Sequence, residues 1–212
     1  IANSILERIP EDRKLVKMWQ PRDEEGSVHR VTDIEDIPLN QGTWLILGRT
    51  HSKLQSLRES IEERGIYYEY KNRKSYNERL FRNILNYERW REGTLLSITE
   101  CKDLFEFLNK EFNHTDERLY DLKEFGYSIT QIWYEVFETH PEESLYIRLM
   151  RQNGEELSKP ARVKLSTMHA AKGGEADNVL LVLDNTKKIR EAVDKDQDKR
   201  DEEHRVWYVG VT

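Results

Sequence analysis

The chain has 212 residues, 35% of them charged and 37% hydrophobic, and a formal net charge of -6; the charged share is well above the roughly 25% of an average globular domain. A mean hydropathy of -0.85 and the lack of any apolar run near about 18 residues exclude a membrane span, and Ile1 to Ile9 is too polar for a secretory signal, although a chain beginning at Ile reads as trimmed. The single cysteine, Cys101, excludes an intrachain disulfide framework and a cysteine-built zinc site, so no metal site is expected in the chain and the expected compartment is reducing and cytoplasmic.

The first forty residues are polar and irregular, with Pro10, Pro21 and Pro38 breaking any long element. Trp44, Leu45, Ile46 and Leu47 then form a short apolar run between Gly42 and Gly48, the pattern of a strand buried on both faces. Leu54, Leu57 and Ile61 follow at helical spacing, and Gly65 stands where a left-handed residue would end that helix. Ile66 to Tyr70 is a second strand candidate. The strand, helix, strand unit over 43–70 implies a parallel sheet.

From about Asn72 to Asn153 the pattern is helical. Leu80, Phe81, Ile84 and Leu85 line one face of the first helix, and Ser97 with Glu100 forms a capping box ahead of Leu104, Phe105, Leu108 and Phe112. Ser128 with Gln131 repeats the device ahead of Ile132, Trp133, Val136 and Phe137; a further helix opens at Pro141 and stops before Gly154. The net negative charge argues against a globally basic nucleic-acid coat, yet Lys71 to Arg91 carries seven basic residues against two acidic ones. Tyr76, Phe81, Tyr87 and Trp90 interleave with those charges. Phe81 reads as core, whereas Tyr76 and Trp90 fit either a core or a stacking surface.

Strand texture returns where Val163, Leu165 and Thr167 alternate with Arg162, Lys164 and Ser166, and Val179 to Leu183 reads as another buried parallel strand. The mixed charge run 187–205, seven basic and seven acidic, reads as a solvated, mobile surface. The simplest architecture is an α/β domain in two sequence segments, 1–72 and 159–212, with an all-α insertion at 73–158.

Ligands of open α/β sheets bind outside the carboxyl ends of the strands. Arg49 follows the strand at 44–48 directly, and Thr167 to Glu175 follows the strand from Val163. In that second stretch, small residues with Gly173 and Gly174 let backbone amides approach a phosphate, and Lys172 adds a point charge. The sequence holds no G-x-x-x-x-G-K-[ST], the loop that cradles nucleotide phosphates in P-loop enzymes.

The string VKLSTMHAAKGGEADNVLLV resembles motif V of the UvrD/Rep family of superfamily 1 DNA helicases. DEEHRVWYVGVT resembles motif VI, and WLILGRTHSKLQSLRESIEERGIYY is similar to motif IV. The three stand in the family's order, with a helical insertion where the family carries one. The resemblance implies a second RecA-like motor domain, its parallel sheet interrupted by an all-α subdomain. By the same resemblance it would belong to an ATP-dependent translocase that moves 3' to 5' on single-stranded DNA in repair or replication. A first RecA-like domain, upstream and absent from this sequence, would supply the phosphate loop and the Mg2+ ligands, so the chain alone is expected to be inactive. The resemblance further implies that Arg49 reaches the ATP phosphates and is catalytic, and that Glu175 bonds the nucleotide sugar. Thr167 and His169 would touch the DNA backbone, Lys172 and Gly173 would shape the turn linking the nucleotide to the DNA, and Glu203 and Arg205 would help hold the interdomain cleft where ATP binds. The family's motif VI continues Thr, Arg, Ala, and this sequence ends at that threonine, Thr212.

Each of these residues also has a plainer reading. Arg49 could pair with a neighbouring carboxylate, His169 could be a satisfied loop histidine, and Glu175 could cap the structure that follows. Glu203 and Arg205 could be charges on a solvated helix. Two other functions fit the same motifs: a helicase-like subunit of a recombination nuclease complex, and a non-enzymatic interaction module that keeps the fold without the motor.

Overall fold

The computed structural model describes residues 1–15 and 25–212; Pro21, expected to break the opening segment, lies outside them. The chain divides into two compact units, one formed by 1–73 with 156–212 and the other by 74–155. In chain order the first unit opens with α1 (Ala2–Leu6), β1 (Trp44–Gly48), α2 (His51–Glu63) and β2 (Tyr68–Tyr70). Then β3 (Arg73–Lys74) leads into the second unit, with α3 (Glu78–Arg91), α4 (Ile98–Phe105), α5 (Trp133–Val136) and α6 (Pro141–Gln152). The chain returns through β4 (Val163–Thr167) and β5 (Asn178–Leu181) and ends in α7 (Lys187–Lys195) and α8 (Gln197–Val211).

The sheet has the order β3-β2-β4-β1-β5. β1 runs parallel to both β4 and β5, and β2 runs parallel to β4, so the four strands end along one edge. This is the RecA-like α/β sheet in two sequence segments that the motifs imply. Apolar residues fill β1 because a strand with neighbours on both sides and layers above and below meets no water. Leu45 and Leu47 point to one layer and join Met168, with Val206 and Trp207 of α8 packed against them. The opposite face carries α2: a Cβ on Gly48 would lie 2.8 Å from Leu54, so only glycine lets that helix sit so close.

Arg64 is the last cap of α2, and Gly65 follows at φ 62°, with its N–H on the Glu62 carbonyl and that of Ile66 on the Ile61 carbonyl. That is the left-handed stop expected from the sequence. The Arg64 guanidinium donates to the carbonyls of Ile34 and Ile37. This draws the polar opening segment onto the domain, where Ile9, Ile34, Ile37 and Leu39 are buried.

Two expectations change here. The 179–183 run lies at the sheet edge, beside β1 alone, and Val179 and Leu183 are exposed, because among the described residues no strand covers the outer side of β5. The 187–205 charge run forms α7 and α8, and Asp201 and Glu203 are buried, because each carboxylate meets an arginine of the same unit. The rest of the run is mostly exposed, as expected.

The second unit is mostly helical. Its first helix buries Leu80, Ile84, Tyr87 and Trp90, while Leu85 is exposed and Phe81 half-buried. The inward stripe is therefore rotated toward the aromatics, since Tyr87 and Trp90 remove more apolar area from water than Leu85 would. Ser97 and Glu100 form the reciprocal capping box, and α6 opens at Pro141 and ends before Gly154 at φ 72°. Gln131 Oε1 accepts from the Ser128 N–H at 2.8 Å, but Ser128 caps no helix: its hydroxyl accepts from the Thr130 N–H within a turn, and α5 begins only at Trp133, where the Ile132 N–H finds the Glu135 carboxylate.

Candidate functional site

Register places the two expected clusters side by side. Gly48 faces Thr167 across the β1 and β4 ladder, so Arg49 and Met168 leave adjacent strands at one level, and the Met168 N–H closes the ladder on the Gly48 carbonyl at 3.1 Å. Ligand sites of parallel sheets open at this edge because loops diverge there and leave strand-end amides unpaired.

Arg49 is half-buried, and its charge is met. The Nε–H donates to Glu203 Oε2 at 2.8 Å and to Oε1 at 3.1 Å. Glu203 projects from α8 with 6% of its surface exposed, and its Oε1 also accepts from the Trp207 indole Nε1 at 2.9 Å. Four residues apart, Glu203 and Trp207 share one helix face. The plainer expectation for Arg49, pairing with a carboxylate, holds in this geometry; that for Glu203, a solvated charge, does not.

The loop after β4 is pinned at both ends. At its start the Ala170 and Ala171 N–H groups both reach the Thr167 carbonyl at 3.0 Å, making one tight turn, and the Met168 side chain points down into the core. At its far end Asp177 accepts from the Thr43 N–H and hydroxyl at 2.9 and 2.7 Å, while its own N–H donates to the Thr43 hydroxyl at 2.9 Å. Those bonds from Thr43 hold the Asp177 carboxyl below the usual carboxylate range. Between the pins, Gly173 takes φ 81°, a conformation an L side chain resists, and Gly174 lies against the Ala171 carbonyl, where a Cβ would come to 3.1 Å. Thr167 is half-buried; His169, Lys172 and Glu175 are exposed. The loop is thus a braced backbone presenting polar side chains to solvent.

Arg205 does not join Arg49 and Glu203. Two residues beyond Glu203, it points to another side of α8, and its Nη2 donates to the Arg13 carbonyl at 2.8 Å. The Arg13 guanidinium in turn holds Asp198, and Asp201 at 2.5 Å. Burial alone would raise the Asp201 carboxyl, but the Gln197 and Arg13 hydrogen bonds outweigh it and hold the group below its ordinary value. His204, beside them, is pushed down by burial and then by the Arg8 charge.

Trp207, Asp201 and Arg13 have no place among the residues expected from the sequence. The spacing of Glu203 and Trp207 on one helix was a usable signal; the pairing of Arg13 with Asp201 left none. The part of the basic stretch that lies in the helical unit is largely matched there: Arg79 and Arg82 meet Asp103, Arg89 meets Glu100 and Arg91 donates to the Ile129 carbonyl. Tyr76 and Trp90, left open between core and stacking, are both buried. Among the described residues no group of three or more His, Cys, Asp or Glu side chains is placed to hold a metal ion, and no helix is long and apolar enough to cross a membrane.

The family model described as the UvrD-like helicase C-terminal domain matches residues 97–212. That span covers the braced loop and α8 but not Arg49, whose place beside them comes from the sheet register. No curated protein and no solved structure matches the chain.

Proposed function

The chain belongs to the UvrD-like helicase C-terminal domain family, and from that premise we propose that it is the second motor domain of an ATP-dependent translocase on single-stranded DNA, moving 3' to 5' and unwinding duplex ahead of it. The supporting observation is the alignment of Gly48 with Thr167, which sets Arg49 and the braced loop next to each other on the ligand edge of the sheet. ATP would lie between this edge and a first RecA-like domain that supplies the phosphate loop and the Mg2+ ligands. That division of the site between two domains is what the resemblance of the three motifs implies.

In the proposed cycle, closure brings the Arg49 guanidinium to the transferring phosphoryl group. Its fixed positive charge stabilises negative charge as it spreads in the transition state, and hydrolysis becomes conditional on closure. Glu175 would bond the nucleotide sugar, with Lys172 and Gly173 shaping the turn beside it. Thr167 and His169, at the other end of the same loop, would hold the DNA backbone. Glu203 and Arg205 tie α8 to Arg49 and to the opening segment, so the cleft wall moves as one piece.

The test is Arg49→Ala in the full-length helicase. Turnover should fall by roughly 100- to 10,000-fold, the range for cationic groups in phosphoryl transfer, with the fold intact by circular dichroism. A folded variant with normal kcat would leave Arg49 as a structural ion pair. Purified alone, without a phosphate loop, the chain should show no DNA-stimulated hydrolysis.

A further inference from the structure

We propose that Trp207 is a positioning residue for Arg49, acting through Glu203. This rests on the assignment of Arg49 to the nucleotide phosphates.

A carboxylate that binds an arginine side-on usually takes Nε together with one Nη. Here both Glu203 oxygens converge on Nε, at 2.8 and 3.1 Å. Among the described residues, the Nη1 and Nη2 edge of Arg49 carries no hydrogen bond. The two Nη groups hold four of the five guanidinium N–H donors, and the two that point outward form a planar fork that matches two oxygens of a phosphate. Glu203 therefore holds the guanidinium by its inner edge and leaves the outer edge to an incoming anion.

What fixes Glu203 in this pose is the indole. The Trp207 Nε1–H donates to Oε1 at 2.9 Å, occupying a lone pair of the oxygen that makes the longer contact with Arg49. The indole has only this one donor. Its ring is set by packing against Leu45, Leu47 and Met168, the cluster between β1 and α8. A half-buried aromatic packed against the core thus fixes the rotation of a buried carboxylate, and the carboxylate fixes the arginine. Without the indole N–H, Glu203 can turn to the ordinary side-on pairing, which draws in one Nη group and spoils the free edge.

The experiment is a double-mutant cycle in the full-length helicase, with steady-state and single-turnover ATP hydrolysis as readouts. Trp207→Phe keeps an aromatic ring in the apolar cluster and removes the donor. It should lower kcat by about two- to tenfold, the rate equivalent of one hydrogen bond, with KM for ATP unchanged. In an Arg49→Ala background the same substitution should cause no further loss, since no guanidinium remains to be oriented. Glu203→Gln, which keeps an oxygen for the indole but weakens the hold on Nε, should be non-additive with Arg49→Ala in the same way.

A normal kcat in Trp207→Phe overturns the proposal. So does an equal fold-loss in both backgrounds, which would mean that the ring acts through Met168 and the loop. If Arg49→Ala itself turns over normally, the phosphate role of Arg49 fails and this inference with it. A severely impaired Arg49→Ala beside an unimpaired Trp207→Phe sinks the inference alone.

Discussion

Arg13 and Asp201 are 188 positions apart in the chain and 2.5 Å apart in the structure, with the carboxylate fully buried and the guanidinium reaching in from the edge of the opening segment. Asp201 lies two residues before Glu203 on α8, so the pair ties the opening segment to the helix that orients Arg49. Removing one member of a buried pair leaves the other charged and uncompensated, which costs more than losing both. Arg13→Ala should therefore lower the unfolding midpoint more than the double variant Arg13→Ala with Asp201→Asn does. Thermal denaturation of the four members of that cycle measures the coupling. Additive losses would mean the pair contributes little. Because the Asp201 carboxyl sits below its ordinary value, its contribution is complete above the unfolded-state value and fades as pH falls through the lower folded one.

In the helical unit, Asp103 gathers the guanidinium groups of Arg79 and Arg82 and the Asn83 amide. Burial pushes this carboxyl up, but the bonds from Arg82, Asn83 and Arg79 prevail and bring it down to about 2. A depressed carboxyl stabilises the fold above its unfolded value, ordinarily near 4, and stops doing so as pH drops through the folded one. Denaturant unfolding of the wild type and Asp103→Asn should differ clearly at neutral pH and converge as pH falls from about 4 to about 2. A gap independent of pH would show that the amide substitution acts through packing.

Cys101 lies on α4 with no exposed surface, and burial pushes its thiol up to about 12. The reactive form is the thiolate, so a chromogenic thiol reagent near neutral pH should label it only when the helical unit opens. Labelling should speed up with denaturant in step with unfolding of that unit. Fast, denaturant-independent labelling of the native protein would contradict the burial.

Local chemistry made part of this architecture readable from sequence. The apolar run of β1, the left-handed Gly65 and the Ser97 capping box each depend on residues within a few positions of one another. What failed depended on neighbours distant in sequence. Val179 to Leu183 has the composition of a central strand, and only the strand order makes it an edge. The run 187–205 has the composition of a solvated surface, and Arg13 and Arg49, far upstream, supply charges that let Asp201 and Glu203 be buried. In the candidate site, motif strings located the loop and α8, whereas the role of Trp207 emerges only when the indole, the carboxylate and the guanidinium are seen in one line of hydrogen bonds.

The braced loop between Thr167 and Asp177 carries the last prediction. Its two ends are pinned separately, one to Gly48 and one to Thr43, so side chains near each end can serve different ligands. His169→Ala in the full-length helicase should weaken single-stranded DNA binding and DNA stimulation of hydrolysis, while ATP binding without DNA stays nearly unchanged. One hydrogen bond is worth about 0.5–1.5 kcal/mol net, so the loss of DNA affinity should be of that size. Glu175→Ala should do the reverse, raising KM for ATP with a smaller effect on DNA affinity. Fluorescence anisotropy with a labelled oligonucleotide and the ATP dependence of turnover measure the two arms. Equal loss of both activities in both variants would mean that the loop responds as a single rigid body and that its residues cannot be divided between nucleotide and strand.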